Sequence, residues 1–174
     1  MNKGKIIFLN GVTSSGKTSI ARALQKQESG VFFYALSNDM FEECVGYDYL
    51  VKDYWKHLGD AIFIMYGTAK TLSDAGHNVI IDGMLFEPKE IPMHYKRLTE
   101  LMKDNPLFIV EVSCPLDICR QRNIARGDRG EFQSLEQHRM MAKDVKYSLS
   151  LKTHELSPTE CANIIIKTFF NPHP

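Results

Sequence analysis

The residues best suited to chemistry form an eight-residue segment near the start of the chain, with the pattern G-x-x-x-x-G-K-[ST]. Glycines in this pattern let backbone N–H groups converge on phosphate oxygens, and the helix that follows points its positive end at the same anion. The lysine of such a loop reaches the β- and γ-phosphates of a nucleoside triphosphate, and the last hydroxyl ligates Mg²⁺. The sequence therefore predicts a phosphate-binding loop, or P-loop, that binds ATP and Mg²⁺ through Gly11, Val12, Thr13, Ser14, Ser15, Gly16, Lys17 and Thr18.

A carboxylate, Asp39, follows the second predicted strand, where ligands of α/β sheets collect. It can accept the proton of an attacking hydroxyl and orient the oxygen in line with the γ-phosphate. We therefore predict that Asp39 is a catalytic base. The segment also has a structural interpretation, in which Ser37, Asn38 or Asp39 caps a helix that begins near Met40. Both interpretations hold together if Ser37 or Asn38 is the cap.

A second acid, Asp82, ends the most hydrophobic predicted strand. This is the usual setting for a carboxylate that holds Mg²⁺, directly or through water, beside the hydroxyl of Thr18. The alternative is a strand-end aspartate that forms a turn with Gly83. We predict that Thr18 and Asp82 together form the metal site.

Four arginines lie close together between residues 120 and 129, in a run with almost no acidic partners until Asp128. Arginines on a segment flanked by glycines suit a lid that closes over ATP, neutralises charge on the transferred phosphoryl group and excludes water. We predict a short arginine-bearing lid at approximately residues 122–133. Arg129 is expected to take part in catalysis and Arg122 and Arg126 to bind ATP, whereas Arg120 is expected to take no part.

The elements that must position these residues alternate between short apolar strands and longer helical patterns, which indicates βαβ units. Strands are predicted at 6–9, 31–34, 78–82, 107–112 and 147–151, and helices at 18–26, 53–75, about 91–102 and 158–169. Two capping boxes, Ser134 to Gln137 and Ser157 to Glu160, predict helix starts. The sequence thus predicts one α/β domain over residues 1–174, with a parallel sheet flanked by helices on both faces.

Composition excludes several classes of protein. The 174 residues contain 21 basic and 21 acidic residues, so no net charge favours binding to nucleic acid or to a membrane surface. No apolar run approaches the roughly 18 residues that span a bilayer, and the start lacks the apolar region of a signal peptide. We therefore expect a cytoplasmic protein whose partners are ATP and a small hydroxyl-bearing substrate. The oligomeric state does not follow from the sequence.

Several of these segments together resemble the chloramphenicol phosphotransferase family of P-loop kinases. The resemblance lies in residues 6–11 with 14–18, in Asp39, in the strand end 80–82 and in the pentapeptide Ala-Arg-Gly-Asp-Arg at 125–129. It implies a P-loop kinase fold similar to that of shikimate and adenylate kinases, and ATP-dependent phosphorylation of a primary hydroxyl. It also implies that Asp39 corresponds to the family's catalytic base and that Arg122, Arg126 and Arg129 correspond to its lid arginines.

The chain departs from the family pattern in the segments expected to bind the acceptor. Gly83 stands where the family tends to have a second acid, and residues 46–55 do not match the antibiotic-binding segment. Aromatic and methionine side chains flank the expected acceptor pocket and can line an apolar site as a group. These residues are Tyr47, Tyr49, Trp55, Met84, Phe86 and Met93.

The sequence therefore predicts a kinase that phosphorylates a hydroxyl of a small molecule, and two alternatives stay open. One is a nucleotide or sugar-nucleotide kinase of the zeta-toxin type, whose phosphorylated acceptor needs basic residues in the acceptor segments. Lys52, Lys56, Lys89, Lys96 and Arg97 are available for that purpose. The other is a nucleotide-driven regulatory ATPase, which would bind a partner protein and hydrolyse ATP without phosphorylating a small molecule.

Overall fold

Five short strands form one parallel sheet in the computed structural model, which describes residues 2–170. The strand order across the sheet is β2-β3-β1-β4-β5, and every neighbouring pair is parallel. The parallel sheet predicted from the sequence is thereby confirmed. The strands are β1 (Ile6–Asn10), β2 (Phe33–Ser37), β3 (Asn78–Gly83), β4 (Leu107–Ser113) and β5 (Leu149–Lys152).

Helices connect the strands and cover both faces of the sheet, as predicted. Successive side chains of a strand point to opposite faces, so the fully buried strand β1 feeds two cores. Ile6 and Phe8 pack on the face covered by α4 and α5, whereas Ile7 and Leu9 pack on the face covered by α1 and α8. The helices are α1 (Lys17–Lys26), α2 (Asn38–Glu43), α3 (Tyr47–Lys52), α4 (Tyr54–Asp74), α5 (His94–Leu101), α6 (Leu116–Arg126), α7 (Gln133–Met140) and α8 (Pro158–Phe169).

Helix α4 is the long helix expected from the apolar spacing. The side chain of Asp53 caps its start by accepting a hydrogen bond from the Lys56 N–H at 3.4 Å. Gly76 follows the last turn with a φ of 88°, a conformation that an L-residue rarely adopts. The apolar face of α4 packs on β1 and β3, and its first turn lies beside the carboxyl ends of the strands.

The structure differs from the prediction most clearly at β2 and at α3. Strand β2 begins at Phe33, two residues later than predicted, and extends to Ser37, because these are the residues that pair with Asn78–Asp82 of β3. Phe32 lies outside the strand, and its side chain is 67% exposed. Helix α3 was not predicted, and it lies on the surface with Tyr47 and Tyr49 exposed.

The two predicted capping boxes have different outcomes. Ser157 accepts a hydrogen bond from the Glu160 N–H, and the Glu160 side chain accepts one from the Ser157 N–H, so this box is confirmed. The prediction for Ser134 is wrong, because α7 begins at Gln133 and Ser134 lies inside its first turn. Ser134 is buried, and its hydroxyl accepts a hydrogen bond from the Asn123 side chain at 2.7 Å.

Across residues 2–170, the longest and most apolar helices still fall short of what is needed to cross a membrane.

Candidate active site

The P-loop turns sharply between the end of β1 and the start of α1. Gly16 has a φ of 105° and sits at the N-terminus of α1, where no side chain caps the free N–H groups. A Cβ at Gly11 would lie 2.5 Å from the Val112 carbonyl oxygen, so only glycine fits there. The hydroxyls of Ser14 and Ser15 are buried without a partner among the described residues. Uncapped N–H groups and orphaned hydroxyls are suited to phosphate oxygens.

Residues far away in sequence hold this loop in shape. The Thr13 N–H donates a hydrogen bond to the side-chain oxygen of Gln137 at 2.6 Å. The Thr153 hydroxyl donates to the Ser15 carbonyl at 2.5 Å. Helix α7 and the segment after β5 therefore buttress the loop from two sides.

Lys17, at the first position of α1, folds back onto the P-loop. Its ammonium donates a hydrogen bond to the Val12 carbonyl at 2.9 Å. Burial lowers the pKa of Lys17, and the nearby Asp82 and Asp39 act in the opposite direction. A partly desolvated ammonium is energetically unfavourable when no anion lies beside it. A bound polyphosphate would supply that anion.

Thr18 and Asp82 meet at the same end of the sheet. The Thr18 hydroxyl donates a hydrogen bond to a carboxylate oxygen of Asp82, which lies in β3 beside β1, at 2.6 Å. Both are hard oxygen ligands of the kind that Mg²⁺ prefers, and Mg²⁺ takes few protein ligands because it keeps several waters and binds phosphates. No group of three or more metal-binding side chains exists within residues 2–170. A two-residue site completed by phosphate and water fits these residues.

Asp39 and Arg129 face each other across the cleft. Arg129 donates a hydrogen bond to the Asp39 carboxylate at 2.7 Å, although the two residues are 90 positions apart. Ser37 caps α2 by accepting a hydrogen bond from the Met40 N–H at 3.2 Å, so the Asp39 carboxylate is not used as the cap. The Asp39 side chain is 65% exposed and directed at the cleft.

The other arginines of the predicted lid have different surroundings. Arg122 donates hydrogen bonds to the carbonyls of Ser14 and Thr153, both at 3.1 Å, and thereby supports the P-loop. Arg126 lines the cleft and pairs with Asp128 at 3.0 Å on an exposed turn. Arg120 forms a salt bridge with Glu131 outside the cleft. The geometry thus separates Arg120 from the three arginines expected to act on the nucleotide.

One open cleft of about 1030 Å³ lies at the carboxyl ends of the strands. It is lined by the P-loop, Asp39, Asp82 and the three arginines Arg122, Arg126 and Arg129. Its far half, which faces the P-loop from α2, α4 and the segment after β3, is lined by Trp55, Met84 and Phe86 from the predicted aromatic group. Tyr47, Tyr49 and Met93 of the same group lie on the surface outside it.

Gly83 occupies the position where the family pattern has an acid. A Cβ there would lie 3.1 Å from the Asn38 side-chain oxygen and 3.1 Å from the ring of Phe8. The Asn38 side chain therefore fills the space that a larger residue at position 83 would need.

Sequence reasoning missed four residues of the site. Thr153 and Gln137 contact the P-loop, and Glu42 and Tyr54 line the far half of the cleft. The Ser134 to Gln137 pattern was the available signal for Gln137, but it was interpreted as a helix cap. The other three carry no motif, because their position depends on contacts between distant segments.

Comparison with known proteins assigns a family to this geometry. A family model described as chloramphenicol phosphotransferase-like protein matches residues 4–170. The chain belongs to the chloramphenicol phosphotransferase-like family. The resemblance predicted from the P-loop, the strand ends and the arginine pentapeptide is thereby confirmed.

Proteins similar to this family member include a bifunctional enzyme and a kinase of known structure. The bifunctional enzyme CysN/CysC of Rhodopirellula baltica is 27% identical over 176 residues, which cover 95% of this chain and 26% of the relative. The chain therefore spans about a quarter of that relative's length. The structure of the APS kinase CysC of Mycobacterium tuberculosis, in complex with AMPPNP and APS, superposes with a TM-score of 0.73 at 20% identity, covering 97% and 98% of the two chains.

A third similarity is to shikimate kinase from Acinetobacter baumannii in complex with shikimate. The TM-score is 0.64 at 13% identity, with 98% of this chain and 95% of the other covered. At identities this low, the two structural similarities establish the fold alone. The chain thus combines membership of the chloramphenicol phosphotransferase-like family with the fold of P-loop kinases.

A buried histidine supports the far half of the cleft in this family member. His94 Nδ1 lies 2.8 Å from the Phe86 carbonyl, and Nε2 lies 2.7 Å from the Tyr66 hydroxyl. Since a carbonyl only accepts, Nδ1–H is the donor and the neutral ring accepts from Tyr66. Burial lowers the pKa of His94 to about 4.

Acidification is therefore expected to destabilise the fold through His94. The unfolded chain binds this proton near pH 6.5 and the folded chain near 4, so the stabilisation is present above 6.5 and lost as pH falls towards 4. The free energy of unfolding, measured by urea denaturation, should fall by about 2 kcal/mol between pH 7 and pH 5 from this group. His94→Gln should reduce that pH dependence, and a matched change at the exposed His138 should leave it unchanged. Equal pH slopes in all three proteins would contradict the assignment.

Proposed function

We propose that this protein is a kinase that transfers the γ-phosphate of ATP to a hydroxyl group of a small molecule, with Mg²⁺ bound at the nucleotide. The observation that carries the proposal is the pairing of Asp39 with Arg129, at 2.7 Å, in the cleft that also contains the P-loop. A carboxylate and a cation that share one cleft with a phosphate site supply the parts that phosphoryl transfer needs.

Each predicted residue has a role in this proposal. Backbone N–H groups of the P-loop and the Lys17 ammonium bind phosphate oxygens, and Arg126 and Arg129 add positive charge from the lid at residues 122–133. Arg122 contributes by holding Ser14 in place. The acceptor hydroxyl gives its proton to Asp39 as its oxygen bonds to the γ-phosphorus, the bond to the β,γ-bridging oxygen breaks, and ADP leaves.

Mg²⁺ would be held by the Thr18 hydroxyl and Asp82, which lie 2.6 Å apart. Bound there, the ion would supply positive charge that offsets the charge developing on the phosphate oxygens. Thr18 and Asp82 would orient the ion, and its other ligands would come from ATP and water.

A nucleotide or sugar-nucleotide acceptor receives less support. None of the basic residues available for such an acceptor lines the cleft in the described part of the chain. Lys56 is 3.9 Å from Asp60, Lys96 is 4.0 Å from Glu100, and the Arg97 guanidinium stacks on Phe63 at 3.5 Å. An acceptor phosphate would therefore compete with ATP for the lid arginines.

The test is mass spectrometry of reactions that contain ATP, Mg²⁺ and a panel of hydroxyl compounds, including chloramphenicol, common sugars and nucleotides. We expect a non-nucleotide compound to gain one phosphoryl group, and we expect the product to be absent with Asp39→Asn. A phosphorylated nucleotide would instead favour the nucleotide kinase. Hydrolysis of ATP with no phosphorylated compound, together with ATP-dependent capture of a partner protein, would favour the regulatory ATPase.

A further inference from the structure

The far half of the cleft combines apolar walls with negative charge. Trp55, Leu58, Phe86 and Met140 provide an apolar lining next to the strand ends. Such a lining binds the carbon skeleton of a small molecule by excluding water from it.

Charges in the cleft are divided between its two halves. The positive residues of the lining belong to the P-loop, to α1, or to the segment from α6 into the lid, all on the nucleotide side. The acceptor side has no lysine or arginine of its own among the described lining residues, whereas Asp39 and Glu42 both lie there on α2. In the structure Arg129 pairs with Asp39. Phosphates of a bound ATP would compete for Arg129, which would leave more negative charge on the acceptor side.

Glu42 is a partly buried carboxylate in the wall of the cleft. Its side chain is half-buried at the cleft wall and forms no salt bridge within residues 2–170. Burial raises the pKa of Glu42, whereas the adjacent Tyr54 hydroxyl favours the ionised form. Burial, together with the neighbouring Glu42 carboxylate, raises the pKa of Tyr54 to about 12, so Tyr54 remains a hydrogen-bond donor.

A carboxylate that has lost part of its water without gaining a cation is unfavourable by itself, and a ligand cation would correct this. We propose that the acceptor is an amine-bearing alcohol with an apolar body, whose ammonium pairs with Glu42 while its hydroxyl lies at Asp39. This inference rests on the proposed function and adds the chemical class of its substrate. The same charges repel acceptors that carry phosphate or carboxylate groups.

The experiment compares amino alcohols with their own N-acetyl derivatives, which keep the ring and the hydroxyl but lose the positive charge. Phenylserinol and tyrosinol are suitable probes, and calorimetry in the presence of a non-hydrolysable ATP analogue and Mg²⁺ measures their affinity. We expect the wild-type protein to bind at least one amino alcohol about tenfold more tightly than its N-acetyl derivative.

The variant Glu42→Gln should abolish this preference, because the amide keeps the shape of the side chain but not its charge. Glu43→Gln is the matched control, since Glu43 is the exposed neighbour on the same helix and does not line the cleft. It should retain the wild-type preference.

The two proposals fail in different ways. Equal binding of the amino and N-acetyl compounds, no binding of either, or a preference that survives in Glu42→Gln would overturn the inference about the substrate. A preference that depends on Glu42, without phosphoryl transfer to any compound, would overturn the proposed kinase reaction while leaving the ammonium site intact.

Discussion

Asp39→Asn is expected to lower kcat by about a thousandfold while the affinity for ATP stays within about threefold of the wild-type value. Asparagine has the size of aspartate, and its side-chain oxygen can still accept the hydrogen bond from Arg129. It cannot take the proton of the acceptor hydroxyl, so only the chemical step suffers. Steady-state kinetics with the acceptor found in the panel, combined with calorimetry of ATP binding, separate the two quantities.

The control for this variant is Asp48→Asn, the same substitution at an exposed position on α3 outside the cleft. It should leave kcat and ATP affinity unchanged. An unchanged kcat in Asp39→Asn would remove Asp39 from the role of base. A large loss of ATP affinity would mean that the salt bridge to Arg129 is needed to shape the nucleotide site.

The parts of the site that are consecutive in sequence could be predicted. The P-loop is one segment, and its glycine positions are fixed by backbone conformation and by close approach, as the φ of Gly16 and the contact of Gly11 with Val112 show. The position of Asp82 could also be predicted from the sequence, because a buried strand ends next to it. Parallel strands bring such ends to one edge of the sheet.

The parts that depend on distant segments could not be predicted. Ser134 has the sequence of a helix cap, but burial against Asn123 gives its hydroxyl another partner. The start of β2 was set by its pairing with β3 and not by the most apolar residues. Glu42 and Tyr54 meet only because α2 and α4 pack together, and neither has a neighbour in sequence that indicates this contact.

Lys17→Met is expected to reduce turnover by at least about 10²–10³-fold with every acceptor, because it removes a cation aimed at the transferred phosphoryl group. Methionine keeps most of the volume of the side chain, so the loop should keep its packing. Lys26→Met is the matched control, since Lys26 is the exposed last residue of α1. Equal turnover in the wild-type protein and Lys17→Met would exclude Lys17 from the reaction.

Thermal unfolding provides a second readout of Lys17, independent of any acceptor. Burial lowers the pKa of Lys17, so its charge is unfavourably placed when no phosphate is bound. Asp82 and Asp39 keep other partners in the variant, namely Thr18 and Arg129. Lys17→Met should therefore unfold at the same or a higher temperature than the wild-type protein without ATP, and should lose most of the stabilisation that ATP and Mg²⁺ confer. A variant that is less stable without ATP yet stabilised by it as strongly as the wild-type protein would show that Lys17 supports the loop and does not bind phosphate.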